Sequence, residues 1–178
     1  MKRRWPYDSG MHKIAAWGLA LAFALTTVGS RAETLEGHVL GVTDGATITV
    51  LNARHQHLRV RIAAIDAPDR GQPFFKRSQD NLTKLVRRRE VIVEWHKKDR
   101  YGRLVGTVFI KKGPDVGLEQ VRAGLAWWNR DDALEQLRSA REAYSAAEKT
   151  ARELQLGLWA DPKPVPPWEW RNERFPAP

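Results

Sequence analysis

The side chains in this sequence best suited to chemistry are two arginines, Arg61 and Arg103, and two carboxylates three residues apart, Asp66 and Asp69. A carboxylate can orient or deprotonate a water molecule, and it can hold a hard cation. A guanidinium offers a rigid fork of donors that matches phosphoryl oxygens. Arginine on a strand, aspartate after a strand and a Tyr-Gly turn are each common on solvated surfaces, so the information lies in their combination. The sequence contains no cysteine, which excludes disulfides, thiolate metal sites and thiol nucleophiles.

The elements that must position these residues follow from periodicity. From Thr34 to Ile110 the chain reads mainly as strands, and from Asp115 onward mainly as helix. Leu35 to Thr43 and Ala46 to Leu51 form a hairpin about the turn Asp44-Gly45, with Ala46, Ile48 and Val50 alternating with Thr47 and Thr49. A third strand runs from Leu58 to Ala64. Strict alternation puts Leu58, Val60, Ile62 and Ala64 on one face and Arg59 and Arg61 on the other, so Arg61 points away from the core. After the turn-rich segment Pro68 to Pro73, helical spacing of Leu82, Leu85 and Val86 predicts a helix over Phe74 to Arg89. Val91, Val93 and Trp95 mark a fourth strand, Asp99 to Arg103 a turn, and Leu104 to Ile110 a fifth strand. Two more helices are expected, Val116 to Ala123 and Leu134 to Leu154, the second with an apolar stripe of Leu137, Ala140, Tyr144, Ala147 and Ala151. Gly157 caps the chain into Leu158-Trp159. Pro162 to Pro178, with six prolines, is expected to be a tail on the surface. The class is α+β, with five strands and three helices.

The N-terminus follows a different logic. Lys2, Arg3, Arg4 and Lys13 precede an apolar run of 15 residues, Ile14 to Val28, which ends at Ser30-Arg31-Ala32. The run is shorter than the ~18 residues that would suggest a spanning helix, and the pattern is that of a signal peptide cleaved after Ala32, the alternative being an uncleaved N-terminal anchor. Residues 33 to 160 are then the folded domain and 161 to 178 the Pro/Trp-rich tail. The expected product is exported, periplasmic or secreted, monomeric, and has no stable membrane association after cleavage. Removing five basic residues and one acid lowers the net charge from +9 to +5. A basic surface of this size attracts phosphate polymers and speeds encounter with them.

Three segments, Val42-Thr43-Asp44-Gly45-Ala46-Thr47, Arg61-Ile62-Ala63-Ala64-Ile65-Asp66-Ala67-Pro68-Asp69 and Asp99-Arg100-Tyr101-Gly102-Arg103, together resemble the staphylococcal nuclease family in order and spacing. The resemblance continues through Gly124-Leu125-Ala126-Trp127, Gly157-Leu158-Trp159 and Pro167-Trp168-Glu169-Trp170-Arg171. It implies a five-stranded OB-fold barrel with three helices and calcium-dependent hydrolysis of DNA or RNA phosphodiesters on the barrel surface. By motif position, Arg61 and Arg103 match the arginines that clamp the phosphate, and Asp69 matches the carboxylate that handles the attacking water. Asp66 matches a calcium ligand, to which the carbonyl of Ala67 and the carboxylate of Asp44 could be added. Arg100 and Tyr101 match contacts to the nucleotide and its terminal phosphate. Trp127 or Trp128 could stack on a base, and Trp127 could equally be buried.

The sequence departs from the family pattern at two positions. Ala46 stands where the pattern Asp-Gly-Asp-Thr has a second aspartate as a direct metal ligand, and a methyl group cannot bind calcium. Calcium takes roughly six to eight oxygens, so losing this carboxylate lowers the expected affinity. Asp69 stands in place of glutamate, which retracts the carboxylate by about one C–C bond, or ~1.5 Å. Misplacement by ~1 Å can cost roughly 100-fold in rate. The leading expectation is an exported metal-assisted endonuclease. The alternative is an OB-fold module that keeps the phosphate cradle and binds nucleic acid after its hydrolysis has weakened.

Overall fold

The computed structural model describes residues 33–174; the expected signal segment, 1–32, and the last four residues lie outside the described residues. Five strands close into a barrel. They are β1 (Glu33–Asp44), β2 (Thr47–Asn52), β3 (His57–Ile62), β5 (Glu90–Lys98) and β6 (Leu104–Ile110), and the two-residue β4 (Ile65–Asp66) stands outside the barrel. The order around the barrel is β1-β2-β3-β6-β5. All pairings are antiparallel except β3 with β6, which is parallel. Alternation produces the closure: Leu35, Val39, Ile48, Val50, Val60, Ile62, Val91, Val93 and Val108 all turn inward and are buried. Gly106 is required where β6 crosses β5, since a Cβ there would collide with the Glu94 carbonyl.

Helix α1 (Phe75–Val86) closes one end of the barrel through Leu82 and Val86. It ends three residues before the expected Arg89 because Arg87 is extended and Arg88 is left-handed. This turn delivers the chain into β5, where the Arg89 carbonyl accepts from Val39 N at 3.2 Å. Helix α2 (Val116–Arg122) is capped by Asp115, whose carboxylate accepts from Gly117 N and Leu118 N. The same carboxylate accepts from the Tyr144 hydroxyl at 2.9 Å, tying α2 to α3 (Arg138–Glu153). Burial raises the Asp115 carboxyl above the ordinary aspartate range despite these donors.

Two expectations are corrected in the C-terminal third. The long helix begins at Arg138 rather than Leu134, because Asp131–Glu135 winds as a 3-10 turn. The Gln136 side chain in that connection accepts from Trp128 Nε1 at 3.0 Å, and Glu135 pairs with His96 and Lys97. These bonds hold the connection out of helical register and leave Leu137, expected on the apolar stripe, 79% exposed. The second correction adds a fourth helix within the expected tail, α4 (Pro167–Arg174). Pro167 suits a first helical position, where no amide donor is needed, and Trp170 N closes a helical bond to the Pro166 carbonyl. Among the described residues no helix is long and apolar enough to cross a membrane.

A buried polar cluster joins α2 to the β1–β2 turn. Gln120 Nε2 donates to the Gly45 carbonyl at 2.7 Å and to the Ser78 carbonyl at 3.2 Å, and Ser78 Oγ donates to the Leu125 carbonyl at 2.6 Å. Both side chains are fully buried, so breaking this cluster strands a backbone acceptor away from water. Gln120→Met preserves volume but removes the donor, and is expected to destabilise the protein by about 2 kcal/mol in denaturant unfolding, with no change in the barrel's circular dichroism.

Candidate active site

The turns and strands at one side of the barrel enclose a cleft of about 340 Å³ lined by Asp44, Ala46, Thr47, Arg61, Asp66, Ala67, Asp69, Arg100, Tyr101, Arg103 and Arg171. Nearly every residue singled out in the sequence is therefore brought to one place. Arg61 faces outward from β3 beside Thr47 of β2, its register partner. The chain then reverses through Ala63 and Ala64, the latter with φ 61°. A left-handed alanine costs roughly 1–2 kcal/mol, and this one is held by the bond from Asn129 N to its carbonyl at 2.8 Å. The reversal returns β4 beneath Arg61, so that Arg61 Nη2 donates to the Ile65 carbonyl at 3.1 Å and to Asp66 Oδ1 at 3.4 Å. β4 is fixed in turn by antiparallel pairing with β7 (Trp127–Trp128), where Asp66 is opposite Trp127.

Arg103 is positioned by its own turn. Asp99 Oδ2 accepts from Arg103 Nε at 2.6 Å, while Asp99 Oδ1 accepts from the amides of Tyr101 and Arg103. Burial pushes the Asp99 carboxyl up, but the bonds from Arg103 and Tyr101 together outweigh it and hold the group below the ordinary range. Gly102 takes φ 73°, a left-handed geometry that suits glycine. The Tyr101 side chain is exposed, and the guanidinium carbons of Arg100 and Arg103 lie 4.9 Å and 5.4 Å from its ring centre. It is an aromatic face with two cations at the mouth of the cleft.

The tryptophans are elsewhere. Trp127 and Trp128 are buried and line no part of this cleft. Trp127 packs edge-on against Trp159 at 5.6 Å and Trp168 at 6.5 Å, and Trp128 is fixed through its Nε1 and by Arg130 over its ring. Of the two readings left open for Trp127, the structure selects burial; Tyr101 supplies the exposed ring. It also adds two site residues that the sequence reading assigned no role, Gln72 and Arg171. Gln72 Oε1 accepts from Asp69 N at 2.9 Å while its Nε2 donates to the Val165 carbonyl at 2.6 Å. Arg171, from α4, donates through Nη2 to Asp66 Oδ2 at 2.7 Å and through Nη1 to Asp69 Oδ2 at 3.0 Å. The Pro-initiated, Trp-flanked context of Arg171 was a signal for a docked helix.

These contacts bear on a metal. Asp66, Asp69 and Asp44 offer hard oxygens suited to calcium, but Asp44 Oδ1 accepts from Ala46 N at 2.8 Å within its turn. Ala46 puts only a methyl group in the cleft wall, and Asp66 and Asp69 are bridged by Arg171. Among the described residues, no group of three acidic, histidine or cysteine side chains is arranged to hold a metal ion. In this arrangement the residues do not fit a calcium ion held by protein carboxylates.

Comparison with known proteins bears on the assignment of this cleft. A family model described as staphylococcal nuclease homologue matches residues 59–161. This chain belongs to that family. It is 38% identical over 144 residues to an uncharacterized endonuclease of Escherichia coli O157:H7, an alignment covering 79% of this chain and 87% of that protein. It is also 40% identical over 144 residues to a micrococcal nuclease of Shigella flexneri, covering 76% of this chain and 80% of the other. A third relative, protein ParB of Escherichia coli, is 38% identical over 163 residues, covering 86% and 89% respectively. The matched family segment contains Arg61, Asp66, Asp69 and Arg103, whereas Arg171 lies beyond it.

Gln72 joins the Asp69 loop to the segment leading into α4 and is nearly buried. Gln72→Ala is expected to cost about 1–2 kcal/mol in denaturant unfolding and to speed amide exchange at Asp69 and along α4, while exchange in the barrel strands stays unchanged.

Proposed function

We propose that this protein is an endonuclease that hydrolyses phosphodiester bonds of DNA or RNA, exported after removal of residues 1–32. One observation carries the reading: two arginines, each oriented by its own carboxylate, converge with Asp69 in a cleft that also holds an exposed tyrosine beside two guanidiniums. Family membership and relatives named as nucleases support it. Export is supported by the N-terminal pattern of basic residues, apolar run and small residue before the cleavage point.

The mechanism uses the chain's own side chains. A scissile phosphate enters between Arg61 and Arg103, with the preceding or following nucleotide against Arg100 and Tyr101. Asp69 takes a proton from a water molecule as its oxygen bonds to phosphorus; the bond from phosphorus to the departing oxygen breaks, and solvent protonates that oxygen. Negative charge accumulating on the non-bridging oxygens is met by guanidinium donors already oriented before reaction, which is where such donors contribute most to the rate. Asp66 keeps Arg61 in place and does not touch the phosphate. Calcium is the cofactor implied by the family resemblance, with Asp66, the Ala67 carbonyl and Asp44 as its ligands. No step here runs through it, because Arg171 engages Asp66 and Asp44 is bonded to Ala46 N within its own turn.

The alternative reading, a nucleic-acid-binding module, is favoured by one observation: the same Arg171 contact holds Asp69, the residue that must accept the proton. Incubating the exported form with single-stranded DNA and with RNA, in calcium and in chelator, decides between them. Cleavage is expected, with Arg61→Ala and Arg103→Ala each losing about 100-fold or more in turnover and far less in oligonucleotide affinity. Binding without cleavage under every condition would establish the module instead.

The pH profile gives an independent check. Burial pushes the Asp69 carboxyl above the ordinary aspartate range; Arg171 pulls it down, and the charges of Asp66 and Asp44 push it up. The base must be ionised, so activity falls as pH drops through this raised value. The acid limb of kcat/KM against pH is expected above that of an ordinary aspartate, and Arg171→Ala is expected to move it higher by removing the cation that favours the ionised form. A limb that moves lower in that variant contradicts Asp69 as the base.

A further inference from the structure

We infer that Arg171 is an internal cation occupying the carboxylates of Asp66 and Asp69, and that a divalent cation reaches those oxygens only by displacing it. The inference rests on the reading of this cleft as the reactive site. It adds a regulator of that site, the C-terminal helix α4, which joins the cleft from 105 positions along the chain.

The geometry makes the two occupants exclusive. Arg171 spreads its fork over two acids, Nη2 on Asp66 Oδ2 at 2.7 Å and Nη1 on Asp69 Oδ2 at 3.0 Å. Calcium binds carboxylate oxygen at roughly 2.3–2.6 Å. An ion bridging the same two oxygens would lie where the guanidinium nitrogens lie and would meet a like charge at contact distance. The other Asp66 oxygen faces Arg61 at 3.4 Å. Two carboxylates and two guanidiniums therefore form a cluster with no net charge to draw a cation in. Position 46 deepens the effect, since a methyl group there contributes no negative charge to favour the ion over the guanidinium.

The latch is built to be reversible. The Arg171 side chain is 44% exposed, so it can leave the acids for water at modest cost. α4 is seated by the buried Pro167, by the edge contact of Trp168 on Trp127, and by the bond from Gln72 to Val165 just before the helix. None of these contacts requires Arg171. Losing the bonds to the two acids removes one of the tethers on α4, so the helix loosens as its arginine leaves, without opening the barrel.

Calcium chloride titrated calorimetrically into the wild-type protein and into Arg171→Ala, Arg171→Gln and Arg171→Lys tests the inference, with thermal melts confirming that each variant folds. The Ala and Gln variants are expected to bind calcium about tenfold more tightly or better, the size expected from removing a half-exposed paired competitor, with Lys between them and wild type. Saturating calcium is expected to speed amide exchange across α4 in the wild type. Unchanged or weaker calcium affinity in both folded variants overturns the inference, as does α4 protection that survives saturating calcium or absence of calcium binding in every form. Nuclease assays on the same samples keep the two readings apart. Wild-type cleavage with no gain in affinity refutes the latch and leaves the nuclease reading intact; tighter calcium binding with no cleavage supports the latch and refutes the nuclease.

Discussion

A carboxylate removed from water must have its desolvation offset by cations and donors. Asp66 is such a group, only 6% exposed, and the architecture around it meets that requirement. Arg61 approaches one of its oxygens from the barrel wall and Arg171 the other from the C-terminal helix. Neither arginine could be placed this way by its local sequence alone. Arg61 needs the left-handed reversal at Ala64 to bring β4 back beneath it, and Arg171 needs α4 seated on Trp127. One buried charge thus links the barrel, the short β4–β7 ladder and the tail.

The ladder is itself held by a second buried carboxylate. Glu148 of α3, almost fully enclosed, accepts from Trp128 N at 3.2 Å and from Arg130 at 2.8 Å. A two-residue ladder has little cohesion of its own, so a side-chain acceptor that binds its edge from a packed helix supplies the missing constraint. The cluster of Gln120, Ser78 and Gly45 does the same for the β1–β2 turn that carries Asp44 and Ala46. The cleft's loops are therefore short and tied from behind by buried polar groups, which holds the side chains they carry in fixed relative positions.

Local patterns made much of this legible. Strand alternation put Arg61 on the outer face, and Leu104–Ile110 has the bounds that its apolar run predicts. The hairpin of β1 and β2 forms as expected, with its turn one residue later, at Gly45-Ala46 between the paired Asp44 and Thr47. What local patterns could not carry was contact between distant segments. Helical periodicity near Leu134 and Leu137 was overridden by bonds from Gln136 to Trp128 and from Glu135 to β5, separated in sequence by 8 and by 38 or 39 positions. The burial of Trp127 depends on Trp159 and Trp168 arriving from the other end of the chain. Arg171 was visible as part of a motif, but its role was not, because a proline-rich segment does not reveal on its own which surface it will cover.

The two departures from the family pattern and the Arg171 bridge have a common physical meaning. With aspartate at position 46, three carboxylates beside Asp44 would face one another across a small cleft, and mutual repulsion would require a multivalent cation to hold them together. With alanine there, two carboxylates remain, and a single guanidinium spanning both can neutralise much of their repulsion. One arginine fork is shared by Asp69 and Asp66, 3.0 Å and 2.7 Å from its two terminal nitrogens. Ala46, Asp69 and Arg171 thus form one electrostatic arrangement rather than three independent features. Arg61 and Arg103 lie outside that arrangement, because their donors are oriented by Ile65, Asp66 and Asp99 whichever cation sits on the far side of Asp66.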